Sequence, residues 1–175
     1  MRLLREHIPE VIGLTAILVA VIVFLPPFGK NVDRERMISG YCLSNVKQMG
    51  LALTMYSQDY DDRLPAGATW MGCINPYLKN ERVFRCPALL GDDRNRFGYA
   101  FYSDLSEVNL SSVKAPANVW MVYDSTELEW NRSDSITSFP DPGRHQRFNS
   151  VGFANGHAKF LRPDAPIGRL RPAEQ

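Results

Sequence analysis

NVDRERMISGYCLSNVKQMGLALTMYSQDY, residues 31–60, carries apolar side chains at Ile38, Cys42, Val46, Met49, Leu53 and Tyr56. Steps of three and four keep these on one face of a helix, and such a face needs a partner to cover it. Lys47, Thr54 and Ser57 are assigned to the other side. The run closes in Asp59, Asp61 and Asp62 ahead of Leu64-Pro65. Proline disfavours helix in the residue before it, which puts the helix end near Asp61.

Upstream, residues 11–28 read VIGLTAILVAVIVFLPPF without a charge. At about 1.5 Å per residue this run nearly crosses a hydrocarbon core of about 30 Å, so the expectation is a transmembrane helix. A cleaved secretory signal and a buried core helix fit less well, because Pro26-Pro27 and a charged helix follow. Pro9 suits a first helical turn, and Glu10 beside it meets the positive end of the helix dipole. Arg2 and Arg5 precede the run while Lys30, Arg34 and Arg36 follow it, so charge does not settle orientation.

Downstream, a short helical stretch is expected near 74–79 and an extended piece at 84–87. Strand signals are clearest at 118–124, at 97–102 and over 150–161, where Asn155-Gly156 predicts a hairpin with a two-residue type I′ turn. Val151 and Phe153 would share one face with Ala158 and Phe160 opposite, the alternation of a sheet packed on one side only. Residues 125–143, polar and broken by Pro140 and Pro142, read as a long exposed loop. The fold class expected is therefore α+β: an N-terminal transmembrane helix, continued as a long amphipathic helix packed on a small antiparallel sheet. Its parts are the membrane segment (1–28), the amphipathic extension (29–62), the α+β head (63–162) and a flexible tail (163–175).

With 20 Lys+Arg against 19 Asp+Glu, the net charge of +1 offers no field to draw the chain onto nucleic acid. Cys42, Cys73 and Cys86 lack the paired spacing of a zinc site. In an oxidising compartment the separation of Cys73 and Cys86 permits a disulfide, but the pairing among the three cysteines stays open. Asp124, His145 and His157, with Asn155, fall at strand ends or in the intervening loop and are candidate metal ligands. The plainer reading is that such groups satisfy backbone donors and acceptors, so no metal or other cofactor is expected. Asp59, Asp61 and Asp62 lack the glycine and spacing of a calcium loop and read as a solvated helix end. No serine has a nucleophile-elbow context, and Trp70, Trp120 and Trp130 read as core or partly exposed packing rather than a ligand surface.

The stretch CLSNVKQMGLALTMYSQDY from Cys42, with Asn45, Lys47, Gln48, Gly50, Tyr56, Asp59 and Tyr60, followed by Pro65, resembles the segment after the first helix in bacterial pilin-like proteins with an H-x9-DG C-terminal domain. PYLKN (76–80), VFRCP with Cys86 and Pro87, FGY (97–99) and VYD (122–124) follow in the family's order. His145, nine residues, then Asn155-Gly156-His157 stands for the closing motif, with Asn-Gly where the family usually has Asp-Gly.

The resemblance implies a non-enzymatic, single-pass protein of the bacterial cytoplasmic membrane, N terminus inside and head outside. It would be a pseudopilin or minor-pilin-like structural subunit of a type II secretion or type IV pilus-like assembly. Its expected partners are the membrane and other pilin-like subunits or secretion components. Glu10 is the residue expected to pair subunits. The rival expectation is a non-polymerising, single-pass envelope binding module using the hairpin and the 125–143 loop.

Overall fold

The computed structural model describes residues 28–89 and 96–166. The chain divides into two compact units, 1–34 and 35–175. Of the first unit, only the opening turns of helix α1 (Phe28–Asp59) are described.

In α1 the periodic face is the buried one: Cys42, Val46, Met49 and Leu53 have no accessible surface. Burial of each such side chain is worth about 1.5–3 kcal/mol. Ser57, expected on the opposite side, is buried too, its hydroxyl donating to Thr54 O (2.8 Å). The helix stops at Asp59, slightly before the expected end. Asp61 and Asp62 turn left-handed there (φ 52° and 60°), and Asp62 N–H closes back on Ser57 O (2.8 Å). Helix α2 (Trp70–Leu78) follows, longer than the sequence suggested. Its unsatisfied first turn is capped from far along the chain, Met71 N–H donating to Asn131 Oδ1 (2.8 Å).

Five strands form one sheet: β1 (Tyr99–Tyr102), β2 (Trp120–Asp124), β3 (Ser133–Asp134), β4 (Asn149–Phe153) and β5 (Ala158–Leu161), in the order β3-β1-β2-β4-β5. The pairs β1–β2, β2–β4 and β4–β5 are antiparallel, but β1 and β3 run parallel, so the sheet is mixed rather than antiparallel. Every residue of β1, β2 and β4 is buried, which excludes a sheet covered on one side only. Helix α1 lies so close to β4 that a Cβ on Gly152 would sit 2.9 Å from Val46 Cγ1.

The segment 125–143, expected to be an exposed loop, contributes β3 and buries Ile136, Ser138 and Pro140. Phe139 packs on Trp120 and Tyr123, with ring centroids at 4.9 and 6.0 Å. Polar groups hold it together internally: Tyr123 Oη and Ser138 Oγ each donate to Asp134 at 2.7 Å, and Arg132 Nε pairs with it at 2.9 Å. The hairpin at Asn155-Gly156 exists, but Asn155 does not take the positive φ that a type I′ turn requires. Gly156 does (φ 81°), in a longer connection that Gly156 N–H closes on Phe153 O (2.8 Å).

One expectation needs correcting at the level of fold class. Among the described residues no helix is long and apolar enough to cross a membrane. The apolar run ends as α1 begins, and α1 itself carries Lys30, Asp33, Arg34, Glu35 and Arg36 in its first turns. Residues 11–27 of the expected span at 11–28, and Glu10 with them, lie outside the described residues. The single-pass membrane architecture and the inner-membrane localisation drawn from it are therefore not supported. The structure supports an α+β protein with two described helices and a five-stranded mixed sheet.

Candidate functional site

Where α1 crosses the end of β2, five side chains from separate parts of the chain meet under cover. Cys42 comes from the core face of α1, and Cys86 from the segment after a 3₁₀ turn at Glu81–Phe84. Asp124 ends β2, paired in register with Tyr99 of β1. Arg144 and His145 come from a tight turn in which Gln146 and Arg147 are left-handed (φ 53° and 74°). There His145 and Phe148 exchange backbone hydrogen bonds of 2.7 and 3.0 Å. Asn149 fixes this turn, accepting from Arg144 N–H and donating to Pro140 O, both at 2.8 Å.

Asp124 is fully buried between two cationic groups: His145 Nε2 lies 3.1 Å from Oδ2 and Arg144 Nη1 3.4 Å from Oδ1. Ser150 N–H donates to Oδ2 at 2.5 Å. Arg144 also donates to Gly98 O (2.8 Å) and, through Nη2, to Ser125 O. The guanidinium thus joins the ends of β1 and β2. His145 Nε2 also faces Cys86 Sγ at 3.7 Å, and Cys86 Sγ lies 2.6 Å from Cys42 Sγ. One turn along α1 from Cys42, Asn45 donates to Arg85 O (3.2 Å) and Tyr99 Oη (3.3 Å), anchoring the helix to the same corner.

Burial alone would lower the basicity of His145, but the hydrogen bond to Asp124 outweighs it, assisted by Cys86, and the imidazole is pushed up to about 9. The Cys86 thiol is held below its usual range, first by the hydrogen bond from Cys42 and then, against desolvation, by His145. Cys42 is raised by the same hydrogen bond and by burial.

A raised folded-state pKa means that the histidine contributes stability in full below its unfolded value, about 6.5, and loses it as pH rises through about 9. Urea unfolding of the reduced chain should therefore show a wild-type advantage over His145→Gln that shrinks by on the order of 3 kcal/mol between pH 6 and pH 10. A difference that does not change over that interval would remove the ion pair from the account.

Of the sequence candidates, Asp124 and His145 are brought together, and His157 makes its contacts elsewhere. It stacks on Phe153 (4.1 Å, 8°) and meets Asn155 inside the exposed hairpin turn. Cys86 meets Cys42, while Cys73 lies on α2 with its thiol toward Thr69 (3.6 Å). Arg144, absent from the expected set, completes the cluster, and nothing in the local sequence marks it.

The remaining motif residues are structural or exposed. Gly50 is buried, where a Cβ would lie 3.6 Å from Met121. Tyr56 stacks on Tyr60 (4.2 Å), and Asp59 accepts from Tyr77 Oη (2.7 Å). Pro65 is buried, whereas Lys47, Gln48 and Pro87 are exposed. Ligand atoms of Cys42, Cys86 and His145 all lie within 4.8 Å of one another, close enough to raise the question of a metal. Two thiolates on one zinc would stand about 3.7 Å apart, given Zn–S of about 2.3 Å, so the 2.6 Å sulfur pair does not fit.

Compared with known protein families, with curated proteins and with solved structures, the chain finds no match.

Proposed function

We propose that the protein is a structural subunit of a pilin-like assembly, of the type II secretion or type IV pilus kind, and that α1 packs against α1 of a second copy. The observation that carries this reading is the outer side of α1. Met37, Tyr41, Leu51 and Met55 are 60, 64, 58 and 42% exposed, and they make up half of the eight large apolar side chains exposed among the described residues. With Ser44 and Gln48, also exposed, they form a run in alternating steps of four and three, the spacing of a helix-to-helix seam. The seam is about 27 Å long at 1.5 Å per residue and lies opposite the face that packs on the sheet.

A non-catalytic role is consistent with the polar cluster. Asp124, His145, Cys86 and Cys42 are each at most 3% exposed, so they present almost no surface to solvent. The reading rests also on the resemblance of the 42–65 stretch and its later landmarks to the pilin-like family.

The test uses the full chain with Cys73→Ser and Gln48→Cys, treated with a homobifunctional maleimide. Cross-linked dimer is expected. Adding Leu51→Lys should reduce it about tenfold or more, because each copy loses a buried Leu worth about 1.5–3 kcal/mol. If Gln48→Cys gives no more dimer than Lys159→Cys on exposed β5, α1 is not the contact and the reading fails.

A further inference from the structure

We propose that Cys42 and Cys86 form a disulfide that staples α1 to the segment leading into β1, with Cys73 left as a thiol. The two sulfurs lie 2.6 Å apart, well inside the roughly 3.5–4 Å at which unbonded heavy atoms rest. Shortening to a bond of about 2.05 Å needs about half an ångström of movement, whereas opening to a shared zinc needs about twice that in the other direction. The surroundings favour a neutral bridge. Both sulfurs are buried, and the corner already holds a carboxylate between an arginine and a histidine, so an added thiolate would be a second buried anion.

The staple would reinforce contacts already present. Asn45 ties α1 to Arg85 O, one residue from Cys86, and the bridge would close a loop between positions 44 residues apart. Loops of that length lose much entropy in the unfolded chain when cross-linked. Cys73 is placed differently, on α2 and partly exposed, with Thr69 as the hydroxyl partner of its sulfur.

Formation requires an oxidant of the disulfide class, such as glutathione disulfide. The Cys86 thiolate attacks one of its sulfurs, forming a mixed disulfide and releasing one thiolate. Cys42 then gives up its proton and attacks Cys86 Sγ; the Cys42–Cys86 bond forms as the second thiolate leaves. Two protons and two electrons leave the chain, and the oxidant becomes two thiols. Burial of both sulfurs in the folded state places the exchange before α1 has settled on the sheet.

The full chain folded in a glutathione and glutathione-disulfide buffer, then denatured and alkylated, tests this. The expected result is one alkylated cysteine, Cys73, and a proteolytic peptide joining the Cys42 and Cys86 segments that disappears on reduction. Three alkylated cysteines would overturn the proposal, as would a bridge that includes Cys73. Zinc retained by the folded chain, with all three thiols alkylated once it is chelated, would overturn it in favour of a metal site.

Discussion

Asp124→Ala is expected to destabilise the fold by about 3–5 kcal/mol, the range found when one partner of a buried ion pair is removed. The carboxylate is fully buried and, among the described residues, is the one carboxylate paired with both Arg144 and His145 at this corner. It also accepts from Ser150 N–H, so removal orphans a β4 donor as well as two cations. The two cations respond differently. His145 can release its proton and become neutral, whereas Arg144 stays charged at any usable pH. The lasting part of the penalty therefore falls on Arg144, moderated by its bonds to Gly98 O and Ser125 O. Asp124→Asn should cost less, since the amide oxygen can still accept from Ser150. Adding Arg144→Met to Asp124→Ala should recover part of the loss, so that the pair couples by about 1–3 kcal/mol in a double-mutant cycle. Urea midpoints of the four chains decide it. A loss below about 1 kcal/mol for Asp124→Ala would mean that water reaches the corner and the ion pairs are screened.

The same corner shows what periodicity can and cannot reveal. Cys42, Val46, Met49 and Leu53 were legible as one buried face because apolar spacing alone decides which way they point. Ser57 was misplaced because its polarity suggested solvent. Its hydroxyl bonds to its own helix at Thr54 O, which offsets the cost of burial without any partner visible in the sequence. Residues 125–143 misled in the same way. Their polar composition is consumed internally, around Asp134, Tyr123, Ser138 and Arg132, and the two-residue strand β3 is too short for any alternation to register. Asp124 and His145 could be singled out by chemistry, but Arg144 could not, since its role depends on reaching carbonyls at Gly98 and Ser125 from a turn with left-handed residues. The cysteine pairing was open for a related reason: separation along the chain says nothing about where Cβ points. The helical face that carries Cys42 inward is the signal that could have favoured it over Cys73.

Trp70→Ala is the second large effect, expected to cost about 3–5 kcal/mol by emptying a fully enclosed site. The indole begins α2 and lies near-parallel to Phe101 of β1 (5.9 Å, 26°) and edge-on to Phe84 (6.1 Å, 88°), so one side chain ties helix, 3₁₀ turn and sheet. Its N–H also donates to Arg132 O (3.0 Å), on the segment that caps α2 through Asn131. Trp70→Phe separates these contributions. It keeps most of the ring packing and loses the hydrogen bond, for an expected cost of about 1–3 kcal/mol. Trp130 is the internal control. It packs on Phe84 and Phe97 at 5.2 and 4.9 Å but is 40% exposed, so Trp130→Ala should cost clearly less than Trp70→Ala. Thermal and urea unfolding of the three variants would order them Trp70→Ala, then Trp70→Phe and Trp130→Ala. If Trp130→Ala proved the most damaging, the aromatic core would have to centre on the 125–143 segment rather than on the junction of α2 with β1.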